Sequence, residues 1–204
     1  MSDEATPVRR RRGRGARERI LKAATELFTA QGVNATGMDQ LTSAGHVSKR
    51  TLYLHFAGKD DLVHAYLSQL QDGLLPAEPS AEADPREQML AIFDWDCHTA
   101  DGPLRGCPFI NAVVEVPAPD HPVHMLAASY KSEFTRRLTA LARQMGASDP
   151  EQLGEQLSLL YDGAVARNMI YNSTEPAAHA RSIAAGLIDE AARPTRGTLH
   201  VTST

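Results

Sequence analysis

Five prolines, at positions 85, 108, 122, 150 and 176, each stand at the head of a stretch whose apolar residues recur every three to four positions. Proline costs least in the first turn of a helix, where its missing N–H has no partner to lose. No stretch alternates apolar and polar residues with period two over a strand's length. Val113, Val114 and Val116 come closest, in a short run bounded by prolines. The pattern predicts an all-α chain. In the N-terminal part, Ile20, Ala24, Leu27 and Phe28 mark one helical face starting from Ala16, and Gly32 ends it. Short helices follow around Met38 to Ala44, with Leu41 inward, and from Lys49 to Phe56, with Leu52 and Phe56 inward. A longer one runs from Lys59 to Leu74, and further helices are expected over 85–100, 108–116, 122–146, 150–172 and 176–192. Residues 76–85, PAEPSAEADP, read as a loop, and there is no internal repeat.

Charge divides the chain. The first 60 residues hold 11 Lys and Arg against 6 Asp and Glu, and the rest hold 10 against 19, so a net +5 adjoins a net −9. A basic quarter on an acidic body points to a polyanion partner for that quarter. Two cysteines cannot make a disulfide framework, no apolar run approaches the ~20 residues that span a bilayer, and the polar, arginine-rich start lacks the apolar stretch of a secretory signal. A cytoplasmic protein without a membrane partner is expected. Residues 1–15 form a basic arm without apolar periodicity. Arg10, Arg12 and Arg14 are its candidates for contact with DNA, against the plainer reading of a solvated tail.

The stretch Thr42–Phe56, TSAGHVSKRTLYLHF, carries the chemistry. Two short helices joined by a tight turn at Gly45-His46-Val47 follow the helix-turn-helix plan. There the last helix enters the major groove and its first residues meet base edges. Ser48 is a good N-cap for it. Lys49 and Arg50 can donate to guanine. Tyr53 and His55 lie later on the same helix, within reach of phosphates, and Lys59 opens the next. Leu54 is an apolar residue on a face where a polar one is easier to explain. It contacts a thymine methyl or packs against a neighbour.

Residues 16–64 resemble the DNA-binding domain of the TetR family of bacterial transcriptional regulators. The matching pieces are ILKAATELFTAQG (20–32), NATGMDQL (34–41), VSKRTLYLHF (47–56) and GKDDLV (58–63). The resemblance implies an N-terminal three-helix reading domain, followed by a larger helical part that binds a small-molecule effector and dimerises. It implies phosphate contacts for Thr36, Ser48, Tyr53, His55 and Lys59, and base or nearby backbone contacts for Lys49 and Arg50. On this reading residues 1–15 are an arm, 16–58 the reading domain, 59–194 the ligand-binding and dimerisation domain and 195–204 a tail. One place departs from the family pattern, which has Ala-Gly before the Val-Ser; here the pair is Gly45-His46. Histidine is among the residues enriched in the left-handed region, so His46 is expected to hold the turn, with a role toward DNA as the alternative.

The C-terminal part shows no catalytic constellation, phosphate loop or nucleophile elbow. Asp94, Asp96, Cys97 and His98, with His121-x-x-His124 downstream, permit metal-ligand spacings on helices, but solvated faces account for them and neither metal nor cofactor is assigned. Cys107, just ahead of Pro108, is either a thiol activated at a helix start or a buried small hydrophobe. The segment GCPFINA…E followed by PAPDHPV resembles a subset of TetR-type regulators. Tyr66, Leu70, Phe93, Trp95, Phe109, Asn111, Met125, Tyr130, Phe134, Tyr161 and Met169 are the candidate walls of an effector pocket, where Glu115 or Asp162 would favour a cation. Leu153, Leu157, Leu160, Tyr161, Ala164 and Asn168 on one helix, with Ala177, Ala180, Ile183, Ala184, Leu187 and Ile188 on the next, form the candidate dimer face. Together these observations imply an effector-responsive, sequence-specific regulator, expected to be a repressor with a palindromic operator. The helix from Lys59 to Leu74 is its candidate lever. The alternatives are a sequence-nonspecific DNA-binding protein and a helical small-molecule enzyme with a basic tail.

Overall fold

The computed structural model describes residues 15–94, 103–116 and 118–193, which form nine α-helices and no strand. These are α1 (Ala16–Gln31), α2 (Met38–Ala44), α3 (Lys49–His55), α4 (Lys59–Leu74), α5 (Pro85–Ala91), α6 (Pro108–Glu115), α7 (Pro122–Met145), α8 (Pro150–Tyr171) and α9 (Glu175–Ala191). Four of the five prolines are the first residue of a helix, and Pro176 is the second of its own. Asp84 and Asp149 cap two of those starts, accepting from the amides of Arg86 at 2.9 Å and Gln152 at 3.0 Å. The Val113–Val114 pair lies inside α6.

One helix differs from expectation. In the segment expected over 85–100 the helix ends at Ala91, and residues 95–100 lie outside the described residues. There the turns tighten: the Phe93 and Asp94 amides donate three residues back, to Leu90 and Ala91. Phe93 is thereby buried, and the Asp94 carboxylate meets Arg181 Nε at 2.7 Å.

The chain divides into two compact units, and the division does not fall at Gly58. One unit joins the segment through Leu74 with residues 108–129; the other joins 75–107 with everything from Tyr130 on. The first unit is built on α1, which buries Ala16, Ile20, Leu21, Ala23, Ala24 and Phe28. Leu41 of α2, Leu52 of α3 and Leu62, Val63, Tyr66 and Leu67 of α4 complete its core. Tyr66 meets Phe28 edge-to-face at 5.4 Å between centroids.

In the second unit α8 lies along α9. Thr139 on α7 approaches α8 so closely at Gly154 that an added Cβ would sit 2.2 Å from its Oγ1 and 2.9 Å from its backbone nitrogen. Most of the stripe assigned above to a dimer face is turned inward instead. Leu153, Leu157, Tyr161, Ala164 and Asn168 of α8, and Ala177, Ala180, Ala184 and Ile188 of α9, are buried within the chain. The stripe marked where the two helices pack together, which periodicity alone cannot separate from packing against a second chain. Outward apolar residues of the pair include Leu159, Met169, Ile170, Tyr171 and Ile183, of which Leu159, Tyr171 and Ile183 border a groove of about 600 Å³ with Leu160, Gly163, Arg167 and His179.

Candidate nucleic-acid interface

The reading helix is set by its two ends. Gly45 closes α2 in ordinary helical geometry, and His46 takes the left-handed conformation with φ +49°. The His46 amide donates to Ser43 O at 3.2 Å and the Val47 amide to Thr42 O at 3.0 Å. That pair of bonds is the Schellman termination, whose left-handed position usually belongs to glycine. At α3, Ser48 is the N-cap: its Oγ accepts from the Thr51 amide at 3.1 Å and lies 2.9 Å from Thr51 Oγ1.

Leu52 and Phe56 are buried, which fixes the rotation of α3. At 100° per residue, Arg50 and Leu54 then lie opposite Leu52, with Tyr53 beside them. Arg50, Tyr53 and Leu54 are exposed, Leu54 at 74%. Lys49 lies nearer the packed side and pairs with Asp39 of α2 at 2.6 Å. The hydrogen bond to that carboxylate raises the Lys49 pKa above its ordinary value. His55 and Lys59 are half-buried. At the α4 start Asp61 accepts from the Ala57 amide at 3.0 Å. Arg10, Arg12 and Arg14 lie outside the described residues.

Thr36 is a correction. The resemblance assigned it to phosphate, but it is 0% exposed. Its hydroxyl donates to Gly32 O at 2.7 Å and accepts from Gln31 Nε2 at 3.1 Å. Threonine here ties the α1–α2 turn from inside. The same glutamine reaches Ala35 O and Gln40 Oε1, and Gln40 Oε1 in turn accepts from the Gly37 amide at 2.8 Å. Asp39 and Gln40 were not foreseen as parts of the site. Gln40 stands three residues after the N-cap Gly37, where it makes the half of a capping box that reaches back to the N-cap amide, and that spacing was the signal for it.

The candidate effector residues divide between the units. Tyr66 and Phe109 are core of the first, Leu70 and Asn111 are half-buried there, and Met125 is 64% exposed. In the second unit Phe93, Tyr130, Phe134 and Tyr161 come together: Phe134 lies 4.8 Å from Tyr161, which lies 6.2 Å from Phe93, and Tyr130 is 6.2 Å from Phe134. Burial pushes the Tyr130 phenol pKa well above its usual range. Met169 is 41% exposed, and Trp95 lies outside the described residues. Neither carboxylate put forward for a cationic effector is free. Asp162 pairs with Lys131, whose ammonium stands 5.5–5.7 Å from the ring centroids of Tyr130, Phe134 and Tyr161. Glu115 is bound to the α1–α2 turn.

Of the candidate metal ligands, Asp96, Cys97 and His98 lie outside the described residues. Asp94 pairs with Arg181, His121 with Asp60 at 3.3 Å, and His124 Nε2 bonds to Val116 O at 2.6 Å. Cys107 is a free, buried cysteine.

Residues 20–66 match the model of the bacterial regulatory proteins of the tetR family. Over 88% of the chain, the fold superposes with TM-score 0.74 and 30% identity on the crystal structure of SCO4454, a TetR-family transcriptional regulator from Streptomyces coelicolor, covering 97% of that protein. The chain belongs to the TetR family. TetR members are DNA-binding transcriptional regulators, not enzymes. Among curated relatives, the regulator TcmR of Streptomyces glaucescens is 32% identical over 99 residues, which is 45% of this chain and 43% of TcmR. The transcriptional activator FasR of Mycolicibacterium smegmatis is 34% identical over 93 residues, 42% of each chain. The chain thus matches less than half the length of these two TetR relatives. Among the described residues no helix is long and apolar enough to cross a membrane.

Proposed function

We propose that the chain is a homodimeric, effector-responsive repressor that reads a palindromic operator through α3. The observation that carries this reading is the rotation of α3. With Leu52 and Phe56 buried, Arg50 and Leu54 form the outward ridge and Tyr53 flanks it. A guanidinium there suits guanine, and a phenol at the flank suits phosphate. Lys49, held by Asp39, serves nearby backbone more readily than a base. Dimerisation is assigned to the groove of α8 and α9 that Leu159 and Ile183 border, where a twofold axis would place like residues together. The aromatic group of Phe93, Phe134 and Tyr161 is the apolar wall offered to an effector.

Selection of bound sequences from a random duplex pool tests the reading. A palindrome with half-sites ~34–36 Å apart, or a multiple, is expected. Arg50→Ala should then cost about 1–3 kcal/mol on the selected duplex and relax preference at one position of each half-site. A pool in which no palindrome is enriched, or a loss equal on all sequences, overturns it.

A further inference from the structure

The motif ending in Glu115 is not explained by reading DNA or by lining a pocket, yet its carboxylate is among the most engaged groups of the first unit. Oε1 accepts from the Val33 amide at 3.1 Å and Oε2 from the Asn34 amide at 2.5 Å. The Glu115 carbonyl accepts from Asn34 Nδ2 at 3.0 Å. The fit is close at Gly32: with φ +91°, a Cβ there would stand 2.8 Å from Oε1 and 3.2 Å from Oε2, so the carboxylate would have to shift. Some 80 residues of sequence separate the partners, so this bracket is built by tertiary folding. The connection after α6 holds the same unit at a second point. His121 Nδ1 accepts from the Val123 amide at 3.2 Å, which leaves the proton on Nε2 to donate to Asp60, at 3.3 Å, in the first turn of α4.

What Glu115 holds is the piece of backbone that sets where α2 begins. From the bracketed amides of Val33 and Asn34 it is three residues to Gly37, whose amide and carbonyl open α2. Thr36 and Gln31 tie that turn from inside and Glu115 from outside. We infer that Glu115 is a positioning residue for DNA reading. By fixing the α1–α2 turn it fixes the placement of α2, and through the Lys49–Asp39 pair and the His46 turn the orientation of α3. The functional reading head therefore includes α6, although α6 lies outside the residues matched to the family's DNA-binding domain. The inference goes beyond the proposed repressor function, and only its spacing test below rests on the dimeric reading.

The test uses the full chain as wild type, Glu115→Ala and Glu115→Gln. The probes are the duplex that wild type enriches from the random pool and a series of that duplex differing only in spacer length. Hydrogen exchange at the Val33 and Asn34 amides reports the bracket directly. Glu115→Ala should keep its helical circular dichroism, exchange those two amides faster, and bind about tenfold more weakly, as for loss of charge-assisted bonds. It should also lose the sharp spacer preference of wild type. Glu115→Gln keeps the size and one acceptor oxygen and should fall between, which also covers the case in which the alanine variant does not fold. A destabilised chain loses affinity equally for every spacer, so an unchanged spacer preference overturns the inference, as does wild-type protection of both amides in the folded variant. If wild type enriches no palindrome, the repressor reading fails by itself. Glu115 is then judged by affinity for the unselected pool, where values within twofold of wild type overturn its role.

Discussion

The two units lean on different polar contacts, though each uses both kinds: Lys49 pairs with Asp39 in the first, and Asp84 and Asp149 cap helices in the second. In the first, uncharged side chains and two carboxylates bind backbone amides and carbonyls: Gln31, Thr36, Gln40, Ser48, Asp61 and Glu115 all close turns or helix ends. In the second, charged side chains bind one another: Arg86 meets Asp189 at 2.8 Å, and Lys131 meets Asp162. Hydrogen bonds from Arg136, then Arg137, hold the Glu133 carboxyl down to about 2. Helix length explains the contrast. α2 and α3 have seven residues each, too few to be stable without outside help, and their free ends make up much of their length. α7 and α8 have 24 and 22 residues and are carried by burial along their faces. A reading head is therefore specified by its turns, and the other unit by its core.

That contrast can be broken from the core side with the largest effect. Phe134 is 1% exposed and lies between Tyr130 and Tyr161, its ring tilted against both. Phe134→Ala should cost about 3–5 kcal/mol, the usual range for a buried aromatic, measured by chemical denaturation. A loss below about 1 kcal/mol would mean that the cluster yields to fill the space.

From the turn side the effect is smaller but more diagnostic. Gly32, with φ +91° and ψ 167°, occupies a region open essentially to glycine, and the Glu115 carboxylate crowds its Cβ position. Gly32→Ala should cost about 2–3 kcal/mol. In a Glu115→Ala background the crowding is gone and only the backbone strain remains, so the two losses should sum to less than additive in a double-mutant cycle. Strict additivity would mean that the carboxylate and the glycine do not meet in solution.

The same contrast governs what the sequence disclosed. Elements fixed by local chemistry were legible: proline starts, the Ser48 cap, the Gly32 stop and the inward Leu52 and Phe56 lie within a few residues of their causes. The rotation of α3 was legible as well, because it follows from the buried pair and leaves Arg50, Tyr53 and Leu54 exposed. What depended on distant partners was not legible. Thr36 looks like a surface phosphate ligand until Gly32 and Gln31 close over it. Glu115 looked like a pocket acid because nothing near it in sequence announces Val33 and Asn34. The early end of α5 involves Arg181, some 87 positions beyond its Asp94 partner. The dimer stripe was periodic, but most of it packs within the chain while Leu160 and Ile183 line the outward groove, since an apolar face does not say what it packs against.

His46 gives the smallest and most local test. The left-handed position that closes α2 costs a side-chain-bearing residue of order 1 kcal/mol, and glycine removes that cost while leaving the donors to Ser43 and Thr42 unchanged. Part of the gain is offset because glycine also frees the unfolded chain. His46→Gly should therefore stabilise the first unit by somewhat less than about 1 kcal/mol, seen as a raised denaturation midpoint with unchanged slope. His46→Val, β-branched in a left-handed site, should lower it. The imidazole is exposed, and among the described residues it makes no side-chain bond that would be lost. If His46→Gly gains stability at unchanged affinity for the selected duplex, histidine merely fills a turn that glycine serves better. A gain in stability with a loss of affinity at that duplex would instead place the imidazole against DNA, and would mean that one turn of the head is specified for contact as well as for closure.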